Sequence, residues 1–203
     1  MSARVVVGIT GASGAAVAVR VVEMLREAGT ETHLVVSRWG RATLEHECGM
    51  GVRDLAPLVA DIHSNGDMAA PISSGSFGVD ATLVVPCSAR TLGSIAAGTG
   101  DTLVARAADV ALKERTRLVL AVREAPLSSI HLRNALAVSE AGGVVHPIVP
   151  TFYARPASVA ELVDDIAARL VALCGVRSPL RRWGVDLGID PRGDAQNRTG
   201  DPS

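Results

Sequence analysis

Four apolar runs of strand length, each followed by a longer stretch with helical spacing, restrict the fold of this chain more than any other feature. They lie at residues 4–9, 32–36, 81–85 and 118–122. Their hydrophobicity is continuous rather than alternating, which indicates strands buried on both faces. Such strands belong to parallel sheets with helices on either side. The sequence therefore predicts a doubly wound, three-layer α/β fold of the Rossmann-like or flavodoxin-like kind.

The length of the chain fits a single domain. It has 203 residues, 48% of them hydrophobic, and no Gly/Ser linker or internal repeat divides it. We expect one domain over residues 1–183. From residue 184 to residue 203, Gly, Asp, Pro and Asn replace the apolar pattern, and we expect a mobile tail there.

The composition argues against several classes of function. Twenty Lys and Arg balance 21 Asp and Glu, so no basic field is available to attract nucleic acid or an anionic membrane. No apolar run reaches the roughly 18–20 residues of a membrane span. Cys48, Cys87 and Cys174 are too few for a disulfide framework, and the five histidines lack metal-binding spacing. We expect a cytoplasmic protein without a metal site.

Small polar residues follow the predicted strands. Ligands of open parallel sheets bind beyond the carboxyl ends of the strands. The loop after the first run places glycines at 8, 11 and 14 around Ser13, while Ser37 and Ser88 follow the second and third runs. Free N–H groups at a helix N-terminus favour an anion. The three turns together predict a polar ligand of mononucleotide size.

Helix capping is the alternative explanation for these hydroxyl groups. Ser13, Ser37 and Ser158 each precede a helical stretch, and capping alone could account for Ser37 and Ser88. The helix after Ser158 carries an apolar stripe that should pack on the sheet. This stripe consists of Val159, Leu162, Val163, Ile166 and Leu170.

Charged residues gather around the fourth run. Arg106 and Lys113 share one face of a helix predicted over residues 101–115. Arg123 and Glu124 come directly after the fourth run, at the edge where ligands bind. Glu124 could be a general acid or base, or one end of a structural ion pair, and the residues alone leave both open.

The chain resembles the UbiX family of flavin prenyltransferases from about residue 4 to residue 183. The matching stretches are residues 8–14, 73–76, 86–88, 106–115, 122–127 and 152–156. The resemblance implies that the chain transfers a dimethylallyl group from dimethylallyl monophosphate to N5 and C6 of reduced FMN, without a metal. The product, prenylated FMN, would pass to a UbiD-type decarboxylase. The resemblance also implies a homo-oligomer, in the family a dodecamer with active sites at subunit interfaces.

The resemblance also implies roles for individual residues. The FMN-binding set would be Gly11, Ala12, Ser13, Ser37, Ser88, Thr91, Arg106 and Arg123. The catalytic residues would be Ser13, Glu47 and Glu124, and the prenyl donor would be held by Lys113, Tyr153, Arg169 and Trp183. A cation and a phenol suit a phosphate leaving group because they stabilise charge as the C–O bond breaks.

Two other functions are compatible with the same fold. An FMN-dependent decarboxylase of the cysteine type would carry Pro-Ala-Ser-Ala-Asn-Thr, but residues 86–91 read Pro-Cys-Ser-Ala-Arg-Thr and lack the Asn. A non-catalytic flavin carrier for a partner decarboxylase would not need a second phosphate site. Glu124, Lys113, Tyr153 and Arg169 together weigh against the carrier.

Overall fold

The computed structural model describes residues 2–181 and 185–186. Six strands form one parallel sheet in the order β3-β2-β1-β4-β5-β6. The strands are β1 (Arg4–Ile9), β2 (Glu31–Val36), β3 (Asp61–Ser64), β4 (Ala81–Cys87), β5 (Arg117–Val122) and β6 (Val144–Pro147). The helices are α1 (Ala15–Glu27), α2 (Arg38–Cys48), α3 (Ala89–Ala96), α4 (Leu103–Glu114), α5 (Ser129–Glu140) and α6 (Val159–Leu173).

Helices cover both faces of the sheet, as the continuous apolar strands predict. Val5, Val7 and Ile9 of β1 point to the face where α1 and α6 pack. Val6 points to the opposite face, where α3 and α4 pack. The fold is therefore the predicted three-layer α/β arrangement, and the strand order is that of the doubly wound dinucleotide-binding folds.

The two edge strands, β3 and β6, escape the sequence prediction. Each has only four residues, and each is only partly buried. A long apolar run is required only of strands that are covered on both faces. Edge strands of this kind leave no such signal.

Two local predictions are wrong. Gly14, not Ser13, is the N-cap of α1, with φ at 117°, and no side chain of its own caps the helix. Val159, the first residue of the α6 stripe, is 75% exposed because it lies in the first turn. Ile166 and Leu170, further along α6, are buried as predicted.

Trp183 and the tail predicted over residues 184–203 lie outside the described residues, apart from residues 185–186. Over the part of the chain that is described, no helix combines the length and the apolarity that crossing a membrane demands.

Candidate active site

The order of the strands reverses between β1 and β4, and Thr10 joins the two strands there. Its Oγ1 donates to the carbonyl of Pro86 at 2.6 Å and accepts the N–H of Ser88 at 2.9 Å. Thr10 is only 2% exposed. These bonds fix the loops after β1 and β4 against each other at the point where ligands bind in open α/β sheets.

Helices α2 and α3 are among those that begin at this edge, and both are capped by serines named from the sequence. Ser37 Oγ accepts the N–H of Gly40 at 3.0 Å at the start of α2. Ser88 Oγ accepts the N–H of Thr91 at 3.3 Å at the start of α3 and lies 3.0 Å from Thr91 Oγ1. The capping interpretation is confirmed for both serines. It does not exclude a ligand, since a hydroxyl that accepts one bond has further hydrogen-bonding capacity.

The two helix N-termini open onto a cleft of about 310 Å³. Gly11, Ser37, Ser88 and Thr91, four of the residues predicted to bind FMN, line it. Residues that were not predicted also line it, and these include Thr10, Arg38, Trp39, Asn65 and Arg90. Asp101 adds one carboxylate to this lining, and Thr102 adds the N-terminus of α4. Two guanidinium groups and three positive helix ends outweigh the one carboxylate and favour an anionic ligand.

Close approach explains why a glycine stands at position 11. A Cβ on Gly11 would lie 2.2 Å from the Cβ of Trp39, so the loop after β1 touches the first turn of α2. Trp39 as a whole residue is 64% exposed, and the guanidinium carbon of Arg38 lies 5.8 Å from the centroid of its ring. An exposed ring on the wall of a polar cleft offers an apolar face to a flat heterocycle.

Asn65 is a cleft residue that sequence reasoning missed. Its Oδ1 accepts the N–H of Val104 at 3.2 Å, and its backbone carbonyl accepts the N–H of Leu103 at 2.9 Å. Asn65 therefore satisfies the first turn of α4 while lining the cleft. It directly follows β3, so only recognition of that edge strand would have drawn attention to it.

Glu47, at the end of α2, satisfies the N-terminus of α1. Its Oε2 accepts the N–H groups of Gly14 at 2.9 Å and Ala15 at 2.8 Å. Burial alone would raise the pKa of Glu47. Hydrogen bonds from both N–H groups and from the Ser13 hydroxyl, with the charge of Arg123, instead hold that pKa below its usual range. The anion predicted at this helix end is thus a carboxylate of the chain itself.

Arg123 and Glu124 lie beyond the end of β5, as predicted. The N–H of Arg123 donates to the carbonyl of Cys87 at 3.2 Å. Glu124 is half-buried, and its Oε1 accepts the N–H of Ala125 at 3.1 Å. Ser13, Glu47 and Arg123 therefore form one group, and Glu124 follows it directly in the chain.

Tyr153 and Arg169 line a second cavity, of about 160 Å³. Arg181 lines it as well and is held by Asp165 through bonds of 3.0 and 2.6 Å. Burial lowers the pKa of His146 in the same cavity, and the charge of Arg169 lowers it further. Two guanidinium groups and a phenol are suited to binding a phosphate.

The remaining predicted cations lie on α4. Arg106 Nε donates to the carbonyl of Ser73 at 3.1 Å, and its Nη1 pairs with Asp109 at 2.5 Å. Lys113 pairs with Glu114 at the far end of the helix. Since Thr102 at the start of α4 lines the cleft, Lys113 lies roughly 16 Å away along the helix axis. Lys113 therefore does not reach the cleft of the chain to which it belongs.

Ala12 belongs to the loop between β1 and α1, where its N–H donates to the carbonyl of Thr10 at 2.9 Å. This bond closes the tight turn that carries Gly11 along the cleft.

Comparison with known proteins places these features in a family. The family profile described as Flavoprotein matches residues 1–171. A probable UbiX-like flavin prenyltransferase from Bacillus subtilis (strain 168) is 48% identical over 181 residues, which cover 89% of each chain. The crystal structure of AnUbiX (PadA1) in complex with FMN and dimethylallyl pyrophosphate has a TM-score of 0.89 at 44% identity. It covers 94% of this chain and 100% of that one.

A dodecameric FMN-dependent UbiX-like decarboxylase from Escherichia coli O157:H7 is also similar, with a TM-score of 0.86 at 47% identity. The match covers 89% of this chain and 98% of that one. An FMN-dependent cysteine decarboxylase, TvaF, shares the fold alone, with 17% identity and a TM-score of 0.61. The chain therefore belongs to the UbiX family of flavin prenyltransferases.

Proposed function

We propose that this chain moves a dimethylallyl group from dimethylallyl monophosphate to N5 and C6 of reduced FMN, with release of inorganic phosphate. The observation that carries the proposal is the cleft at the β1/β4 reversal, lined by two helix N-termini and the cations Arg38 and Arg90. The complex of AnUbiX with FMN and dimethylallyl pyrophosphate supports FMN together with a dimethylallyl phosphate ester as the pair of ligands.

The residues of the cleft fit FMN. The capped ends of α2 and α3, with Arg38 and Arg90, would hold its phosphate. Gly11 packs directly against Trp39, and both residues line the cleft, so the loop after β1 and the first turn of α2 would form one wall of the FMN site. Reduced FMN, when bound, supplies the nucleophilic ring to which the prenyl group is joined.

Ser13 and Glu47 would form a hydrogen-bonded pair that accepts a proton from an N–H group of the flavin. The Glu47 carboxylate accepts the hydrogen bond of the Ser13 hydroxyl. Ser13 Oγ therefore keeps lone pairs with which to accept an N–H of the ligand. Arg123 would stabilise the negative charge of the Glu47 carboxylate. Glu124, next in the chain, would act as acid or base near the donor phosphate.

Tyr153 and Arg169 would bind the phosphate of the prenyl donor, since both line the second cavity. Their N–H and O–H groups would stabilise the charge that develops on the leaving phosphate. Lys113 and Trp183 complete the proposed donor site. Lys113 lines neither the cleft nor the second cavity of its own chain, so we assign it to the site of a neighbouring subunit.

A homo-oligomer, as in the dodecameric relative from Escherichia coli, would supply that neighbour. Helix α5 presents Ile130, Leu132 and Leu136 at 60%, 55% and 57% exposure, an apolar surface suited to a second copy. We further propose a dodecamer, a cytoplasmic location, and a UbiD-type decarboxylase as the recipient of the product.

A phosphate-release assay separates this function from that of a flavin carrier. The purified chain is mixed anaerobically with reduced FMN and dimethylallyl monophosphate, and inorganic phosphate is measured over time. Transfer predicts one phosphate released for each flavin modified. A carrier would bind FMN and release none. Transfer from the diphosphate donor would release pyrophosphate, so the same assay with inorganic pyrophosphatase added determines which donor is used.

A further inference from the structure

Two buried histidines meet between β2 and β3, in a part of the molecule that the proposed reaction does not use. His33 and His63 are 7% and 8% exposed. They are thirty positions apart in the sequence, and the parallel pairing sets Asp61 opposite His33 and His63 opposite Val35. His33 Nδ1 lies 3.0 Å from His63 Nε2. The spacing of histidines along the chain could not reveal this pair.

We propose that His33, His63 and Asp61 bind a divalent transition metal of the zinc class. Each of the three residues offers one ligand atom, and these atoms all lie within 4.8 Å of one another. Zinc–nitrogen bonds of about 2.0–2.1 Å in a tetrahedral site place ligand nitrogens about 3.3 Å apart. The two ring nitrogens therefore need to separate by only about 0.3 Å.

Asp61 lies close enough to supply a third ligand. Its side chain is 62% exposed, and Oδ2 lies 3.8 Å from His63 Nδ1, the ring nitrogen that faces away from His33, so the carboxylate must turn from that nitrogen to reach the metal. A solvent-facing carboxylate of this kind can rotate toward the metal, and water would take the fourth position. Two imidazoles and one carboxylate favour Zn²⁺, Co²⁺ or Ni²⁺ over Mg²⁺ or Ca²⁺, which prefer oxygen ligands alone.

A carboxylate behind His33 supports a metal-binding role. Glu31 Oε1 lies 3.1 Å from His33 Nε2, and Arg4 holds Glu31 through bonds of 2.8 and 3.1 Å. Because a carboxylate accepts, it places the His33 proton on Nε2, and the Nδ1 lone pair then accepts the Nε2–H of His63 at 3.0 Å. A metal would displace that His63 proton and bind both nitrogens. Metal-binding histidines almost always have such a partner.

The site would be structural. Asp61 lies level with His33, the third of the six residues of β2, and His63 lies level with Val35, so the ligands lie along the paired strands and not in the loops that form the flavin cleft. A metal there would tie the edge strand β3 to β2. Asn65, two residues after His63, lines the cleft, so the metal would also steady one wall of the FMN site.

The test is a metal titration of the full-length chain, without an affinity tag and dialysed against a chelator. Co²⁺ is followed by its visible absorption and Zn²⁺ by calorimetry. We expect one ion per chain, no response to Mg²⁺, and a rise in Tm with Zn²⁺, since a ligand of the folded state stabilises it. A wild-type chain that binds neither Co²⁺ nor Zn²⁺ would overturn the proposal.

Variants identify the ligands. Asp61→Asn changes an exposed side chain and should weaken Zn²⁺ binding about tenfold or more, while His63→Gln should abolish saturable binding. His46→Gln removes an exposed histidine of α2 and should leave the affinity unchanged. Unaltered affinity in Asp61→Asn, or a loss in His46→Gln, would assign the metal to another part of the chain. Asp61→Asn keeps the test decisive if His63→Gln does not fold.

Discussion

The Glu47 carboxylate accepts the N–H of Gly14 at 2.9 Å and so ties the end of α2 to the start of α1. The same oxygen accepts the N–H of Ala15 at 2.8 Å. The negative charge at the N-terminus of α1, which could have come from a bound phosphate, is thus supplied by the Glu47 carboxylate. The phosphate of FMN is expected instead at the N-termini of α2 and α3, where Ser37 and Ser88 line the cleft.

Replacing Glu47 tests this tie through its pH dependence. The pKa of Glu47 is lowered in the folded chain, so its contribution to stability is complete above the pKa of the unfolded chain, about 4.3. It disappears as pH falls through the lower, folded-state value. Glu47→Gln should therefore reduce the free energy of unfolding by about 1 kcal/mol at pH 7, and this difference should shrink below about pH 4.3.

Urea denaturation at a series of pH values measures the effect. Glu45→Gln is the matched control, since it removes an exposed carboxylate from the same helix. A difference between wild type and Glu47→Gln that stays constant down to pH 3 would show that the ionised carboxylate contributes nothing through its charge.

Thr10→Val should loosen the junction between β1 and β4. Valine keeps the shape of threonine but loses the hydroxyl, which leaves the carbonyl of Pro86 and the N–H of Ser88 without this partner. We expect a loss of about 1–3 kcal/mol in stability and weaker FMN binding, measured by flavin fluorescence. Thr10→Ser retains the hydroxyl and should keep most of both. Equal FMN affinity in the two variants would contradict the role of the hydroxyl.

Gly11→Ala should damage the FMN site by a purely steric route. The added Cβ would meet the Cβ of Trp39 at 2.2 Å, and this atom cannot move without moving α2. Affinity for FMN should fall at least about tenfold, equivalent to about 1.4 kcal/mol. Gly66→Ala is the control because a Cβ there meets nothing within 4 Å. Normal FMN binding by Gly11→Ala would mean that the ligand does not use this loop.

The central strands could be predicted from the sequence because burial on both faces demands continuous apolar residues. The same reasoning fails for β3 and β6, which are short and half-covered. Asn65 directly follows β3 and was missed for the same reason. The contact between His33 and His63 depends on a strand register that no local pattern specifies.

The candidate site also contains residues that could be predicted from the sequence and residues that could not. Ser37, Ser88 and Gly11 follow strands and were recognisable by position, whereas Trp39 looks like any residue of an amphipathic helix until its ring is seen exposed on the cleft. Lys113 was predicted from the resemblance and shares a helix face with Arg106. It lies at the far end of α4, which shows that a shared helix face does not by itself bring a side chain to the cleft.

Glu124→Gln separates binding from chemistry. The amide keeps the size of the side chain but cannot act as a general acid or base. FMN affinity should therefore stay unchanged, while the rate of prenyl transfer should fall on the order of 100-fold or more. Glu140→Gln, at the exposed end of α5, should have no effect on either quantity. A Glu124→Gln enzyme with wild-type turnover would remove this carboxyl from the proposed mechanism.

Mass spectrometry of the flavin tests the central claim most directly. The purified chain is incubated anaerobically with reduced FMN and dimethylallyl monophosphate, and the flavin is then released and weighed. A flavin heavier by one isoprenyl unit is the expected result. FMN that is bound but unmodified with both the monophosphate and the diphosphate donor would contradict prenyl transfer and favour a flavin carrier.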